Sequence, residues 1–167
     1  MPDKIQNGSC LCGNVHYSFL QKNAISTHHC HCRDCQKSTG SGKATIVMIP
    51  DESLNLEGSL KFYTVTGTAG SHISRGFCDN CGSPVMSFIE ENPGIKLIKA
   101  GTLDNSSWVS IASNFWGSSA TVWSPADEVI HTFTENPDFE WLPQHRLASR
   151  TLARAEHTLE GQVRRMV

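Results

Sequence analysis

Short alternating runs dominate the hydrophobic pattern of the first 134 residues. Residues 15–19 (Val-His-Tyr-Ser-Phe) and 60–65 (Leu-Lys-Phe-Tyr-Thr-Val) switch between apolar and polar positions with a period of two. That is the signature of a strand with one covered face. Residues 44–49 form a short apolar, β-branched run; 85–89 and 95–98 are further strand candidates, and 128–134 alternates again. Gly58, Gly67, Gly70, Pro84, Pro93-Gly94 and Pro125 punctuate these runs. Many short strands with frequent turn residues predict a mainly β architecture of antiparallel strands. Residues 33–38 predict a short helical turn.

From His145 onward the pattern changes. Leu152, Ala155, Leu159, Val163 and Met166 recur at steps of three and four, and Glu160 and Arg164 stand at the favourable i,i+4 spacing. This predicts a C-terminal helix, docked on the sheet, forming a dimer contact or ending as a partly disordered tail. The boundaries are a domain over 5–140 and a helical extension over 141–167.

Composition narrows the class. The chain has 167 residues, 38% hydrophobic and 18% charged, enough for one domain with a real core. No apolar run reaches the roughly 20 residues that cross a bilayer, and the N-terminus lacks the apolar stretch of a signal peptide. A cytoplasmic location follows as the expectation, without a membrane partner. The net charge is -2 and the pI about 6.4, which argues against nucleic acid as a partner. Charge is uneven: residues 145–167 hold five Arg and two Glu, a balance of +3, against -5 for the rest.

In a reducing compartment, clustered cysteines read as metal ligands or redox groups before disulfides. Seven cysteines fall in three groups: Cys10-Leu11-Cys12, Cys30-His31-Cys32-Arg33-Asp34-Cys35 and Cys78-Asp79-Asn80-Cys81. Strand residues i and i+2 share a face, so Cys-x-Cys can aim two sulfurs at one ion. Cys-x-x-Cys followed by Gly resembles a zinc knuckle, and Cys12-Gly13 repeats the Cys81-Gly82 punctuation. A structural zinc takes four protein ligands, whereas a catalytic one keeps three and an open position. Seven divides as four plus three. Cys10, Cys12, Cys78 and Cys81 form the closed set, and Cys30, Cys32 and Cys35 the open one. A redox pair, a single cluster or disulfide set, and replacement of one cysteine by His28, His29 or His31 are the competing readings. His31 is expected to alternate outward from the cysteines beside it.

The runs Gly8-Ser9-Cys10-Leu11-Cys12-Gly13-Asn14-Val15 and residues 30–41, with residues 75–84 and Ala100-Gly101-Thr102-Leu103-Asp104, resemble the glutathione-dependent formaldehyde-activating enzyme family, which includes centromere-protein-V-like domains. The resemblance spans roughly residues 5 to 140. It implies a zinc-binding β-tent, two zinc ions per chain, and a structural site at Cys10, Cys12, Cys78 and Cys81. It implies a catalytic zinc at Cys30, Cys32 and Cys35. The implied activity is that of a carbon–sulfur lyase, joining formaldehyde and glutathione as S-hydroxymethylglutathione. A non-catalytic zinc module that recruits a partner, and a lyase acting on another sulfur compound, are the alternatives; a homo-oligomer is left open. Arg33, Lys43, Arg75 and Lys99 are available to anchor glutathione carboxylates. His72 and His131 are the histidines considered for acid–base work. Asp34 is expected to support the metal loop or cap the following turn, and Phe115, Trp116 and Trp123 to line a pocket or fill the core.

Overall fold

The computed structural model describes residues 3–137; the C-terminal helix and the extension over 141–167 lie outside the described residues. Strands β1 (Ile5–Ser9), β2 (His16–Leu20), β3 (Ser26–Cys30), β4 (Ala44–Pro50), β5 (Asn55–Glu57), β6 (Leu60–Thr66), β7 (His72–Cys78), β8 (Pro84–Ile89), β9 (Asn92–Lys99), β10 (Ser113–Phe115) and β11 (His131–Thr132) follow in chain order, with one α-helix, α1 (Arg33–Thr39). They form a three-stranded sheet, β1-β2-β5, and an eight-stranded sheet, β11-β10-β3-β4-β9-β8-β7-β6.

The apolar run at 44–49 becomes the central strand β4, buried on both faces, as expected for a strand covered from both sides. Val47 and Ile49 point one way, into a core with Tyr17 and Phe19 of β2, Val85 of β8 and Ile98 of β9. Ile46 and Met48 point the other way, toward Cys30, Cys35 and Phe115. The first face joins the two sheets; the second is where the site forms. Strand β6 forms where expected, but as an edge strand whose burial does not alternate, with Lys61 to Thr64 all exposed and Tyr63 at 67%.

One expectation is refined and one corrected. The large sheet is mainly antiparallel, as expected, but β10 runs parallel to both β3 and β11. A parallel pair needs a long connection: residues 31–112, with β4 to β9, join β3 to β10, and residues 116–130 join β10 to β11. The alternation at 128–134 gives only the two residues of β11. Its first half is turned instead by Asp127, whose Oδ1 accepts from the Val129 N–H at 3.1 Å.

The small sheet is fastened by Tyr17, 3% exposed, whose hydroxyl pairs with Thr102 at 2.8 Å. Burial pushes the Tyr17 phenol up to about 12. Its folded value exceeds its unfolded one, so the stabilisation is complete below about pH 10 and is lost as pH rises toward about 12. Two units correspond to about 3 kcal/mol. Denaturant titrations across this window are expected to show that loss, and Tyr17→Phe to flatten it. A wild-type slope identical to that of Tyr17→Phe rejects the assignment.

Candidate metal centres

Both cysteine groups converge. The sulfurs of Cys10, Cys12, Cys78 and Cys81 lie within 4.8 Å of one another, and so do those of Cys30, Cys32 and Cys35. None of the seven is in a disulfide.

Two similar turns build the four-sulfur cluster. After β1, Gly13 N–H donates to the Cys10 carbonyl at 3.1 Å, with Gly13 at φ +79°. After β7, Gly82 N–H donates to the Cys78 carbonyl at 2.8 Å, with Gly82 at φ +73°. Each turn needs the left-handed conformation that glycine adopts without strain. The turns are stitched together by the Leu11 N–H, which donates to Ser83 Oγ at 3.0 Å. Cys10 and Cys12 Sγ are 3.5 Å apart, and Cys12 and Cys78 Sγ 3.7 Å. Tetrahedral coordination with metal–sulfur bonds of about 2.3 Å puts sulfurs about 3.8 Å apart, so this donor set fits a zinc-sized ion. Cys10 and Cys78 also belong to the core between the sheets.

The three-sulfur cluster is local. Cys30 ends β3, Cys32 caps α1, and Cys35 lies in its first turn. The Cys35 N–H donates to Cys32 Sγ at 3.4 Å. Gln36 locks the loop through Nε2, which donates to the His31 carbonyl at 2.6 Å and the Ser119 carbonyl at 2.9 Å. Register with β10 holds its base, since Phe115 is the partner of Cys30. The three sulfurs share negative charge unequally. Hydrogen bonds from Cys30 and Cys32, then the charges of Lys99 and Arg75, pull the Cys35 thiol far down, while Cys30 is driven up by the same pairings. Three sulfurs of this spacing fit one side of a similar ion.

Only this second cluster opens into the cavity, which has a volume of about 150 Å³. Cys30, Cys32, Cys35, Asp34, Arg75, His28, Phe115 and Trp116 line it, together with apolar side chains of the sheet. Of the four cationic anchors considered, Arg75 lines the cavity, 4.0 Å from Asp34 Oδ2. Lys99 is 6% exposed, and its Nζ donates to Ser87 Oγ at 3.2 Å. Arg33 turns to Gln36, and Lys43 acts on His29 and His31. Asp34 is not the helix cap, a position Cys32 takes. Phe115 and Trp116 are both core and cavity wall, whereas Trp123 is 72% exposed.

The two histidines considered for acid–base work do not line the cavity. His72 is a surface residue bonded to Glu91 at 2.7 Å, and His131 is exposed on β11. His31, expected to face outward, is instead fully buried beside Asn114. His28, two residues before Cys30 on the same strand face, is the histidine at the cavity. It stacks on Phe115 at 4.0 Å, and its Nδ1 has no hydrogen-bond partner among the described residues. Burial drives its pKa down to about 3, so it is neutral. The period of two in a strand is the signal that could have found it.

The fold and the clusters define a cysteine-rich β protein with two sites able to hold metal ions. Residues 5–122 match the family model described as glutathione-dependent formaldehyde-activating enzyme, and the chain belongs to that family. No curated protein matches the sequence. Among solved structures, a Rhodobacter sphaeroides protein is similar at 23% identity and a TM-score of 0.48, over 59% of this chain and 88% of that one. Among the described residues, no helix is long and apolar enough to cross a membrane.

Proposed function

We propose that this chain is a zinc-dependent carbon–sulfur lyase-type enzyme that makes or breaks a thiol–aldehyde adduct, such as S-hydroxymethylglutathione. Cys10, Cys12, Cys78 and Cys81 would hold a structural zinc, and Cys30, Cys32 and Cys35 a catalytic one. The observation that carries this reading is the asymmetry between the clusters: four sulfurs gather in two turns anchored in the core by Cys10 and Cys78, three at the end of a cavity. A zinc at the three-sulfur site supplies a position that takes a thiolate or polarises a carbonyl.

The remaining work falls to the side chains. In adduct formation the thiol sulfur bonds to the aldehyde carbon, and the thiol proton ends on the new hydroxyl. Arg75 offers a planar donor fork to a glutathione carboxylate, because its pair with Asp34 is long. His28 lines the cavity as a neutral imidazole stacked on Phe115, its Nδ1 buried and without a hydrogen-bond partner among the described residues. Lys99 is buried, and among the described residues no carboxylate pairs with it. Its charge balances the three thiolates, which outnumber the two charges of a zinc ion by one. Phe115 and Trp116 keep bulk water from the wall behind the sulfurs.

Cobalt substitution tests the reading. Glutathione is expected to change the thiolate charge-transfer spectrum, and S-methylglutathione to change it weakly or not at all. Equal effects reject thiolate ligation. No response to any thiol, in a protein carrying two metal ions, favours a non-catalytic zinc module. Acceleration with a different sulfur compound alone favours the other-substrate lyase.

A further inference from the structure

The cavity is larger and more apolar than formaldehyde requires. From the cysteine end it runs across the large sheet. Register places Ile46 of β4 beside His28 of β3, next Met48 opposite Leu97 of β9, then Ile89 of β8 opposite Ile73 of β7. Each of these side chains lines the cavity, and Phe115 closes it from β10. The charged lining groups, Asp34 and Arg75, stand together, 4.0 Å apart. The floor is therefore sulfur-lined at one end and mostly apolar along the rest, with Ser87 and Arg75 set among its aliphatic side chains.

Neither expected reactant uses that floor. Formaldehyde has no carbon beyond its carbonyl. Glutathione carries two carboxylates and an ammonium, and burying these against Ile, Met and Leu is strongly unfavourable. The volume, about 150 Å³, matches that of an apolar engineered cavity that takes up benzene. A substituent of about six carbons, ring or chain, fits that space.

We propose that the cavity receives the apolar substituent of an aldehyde larger than formaldehyde, so that the chain acts on glutathione adducts of apolar aldehydes. This rests on the thiol–aldehyde reading above and names its carbonyl substrate class. The step balances without a further reagent. The C–S bond forms, the C=O π bond opens, and the thiol proton ends on the hydroxyl; cleavage is the reverse.

The test is calorimetric binding of S-methylglutathione and S-hexylglutathione to the zinc-loaded full chain, together with adduct formation from formaldehyde and hexanal. Both probes are thioethers, so their ratio reports the alkyl site and not the metal. A buried methylene contributes roughly fourfold, so S-hexylglutathione is expected to bind at least about tenfold tighter, with hexanal preferred over formaldehyde in kcat/KM. Leu97→Trp, which fills the cavity floor, is expected to shrink the hexyl-to-methyl ratio to within about twofold. Equal binding of the two thioethers in the wild type overturns the inference, as does a ratio untouched by Leu97→Trp in a folded variant. Absence of thioether binding also overturns it; if glutathione still shifts the cobalt spectrum, the thiol–aldehyde reading survives. No response to glutathione or to either thioether overturns both.

Discussion

Cys78→Ser is expected to abolish cooperative folding at neutral pH. Cys78 is fully buried, ends β7 and belongs to the core that joins the two sheets. Its partners Cys10 and Cys12 come from the N-terminal turn, and the three-stranded sheet is tied to the large one close by. A structural zinc contributes apparent binding energy of about 10–16 kcal/mol, while a whole domain is stable by about 5–15 kcal/mol. Loss of one of four ligands therefore removes a contribution comparable to the total stability. Cys10→Ser, Cys12→Ser and Cys81→Ser should behave alike, since the set acts as a unit. Zinc content and thermal unfolding, measured on the same preparation, decide the matter. A Cys78→Ser protein that keeps both metal ions and melts within about 1 kcal/mol of wild type removes the structural role.

The cysteine grouping was legible because spacing alone determines much of the local geometry. Cys30 and Cys32, two residues apart at the end of β3, and Cys78 and Cys81, three apart around a turn, leave their sulfurs little choice of direction. Cys10 and Cys12 instead converge through the turn after β1 and not through a shared strand face. The joining of Cys10 to Cys78 across the fold was inferred from ligand counting, and the structure brings those sulfurs together. Six strand candidates were read, three of them from alternation; five fall within or overlap β2, β4, β6, β8 and β9, and the sixth yields only the two residues of β11. The strands that escaped share a cause. In β1 the buried position is Gln6, bonded to Gln21, while Ile5 is 60% exposed. In β3 the buried positions include Thr27 and His28, and in β7 they include Ser74 and Gly76. Polar residues occupy the inward positions there, so a hydrophobic period cannot show them. The same cause hid His28 at the site. The cavity wall was hidden for another reason: Ile46 and Met48, Leu97, and Ile73 come from three separate strands, and only sheet register makes them neighbours.

Trp116 shows what lies beyond pattern reading. It is the one non-glycine residue of positive φ among the described residues, at φ 59° and ψ 44°. For a bulky side chain that conformation is strained. Hydrogen bonds hold it: its N–H donates to the Glu135 carbonyl at 3.0 Å, and Nε1 donates to Asn136 Oδ1 at 2.7 Å. The turn directs the indole to the cavity wall that Asn136 and Pro137 complete. These last residues lie beyond the span matched by the family model, which ends at 122.

Cys32→Ser is expected to leave the fold standing and to remove the reaction. The position suits the exchange. Cys32 is the N-cap of α1, and its sulfur already accepts from the Cys35 N–H at 3.4 Å. Serine is among the favoured N-cap residues, so its hydroxyl takes over that bond and the helix start is preserved. The four-sulfur set and the core between the sheets are untouched, because Cys32 belongs to neither. Cys32 only packs at the edge of the second core, so stability should fall far less than in Cys78→Ser, by the share that binding of the second metal contributes. The metal site fares differently. Loss of an outer-shell partner typically costs 10–100-fold in metal affinity or activity, and loss of a direct ligand should cost roughly 100-fold or more. Metal content is expected to fall from two zinc ions toward one, and the cobalt spectrum of the variant should no longer respond to glutathione. Circular dichroism on the same sample guards against a folding artefact. If Cys32→Ser unfolds the chain as severely as Cys78→Ser, the division into structural and catalytic sulfurs fails. If it retains two zinc ions and full activity, the three-sulfur cluster is not the reaction centre.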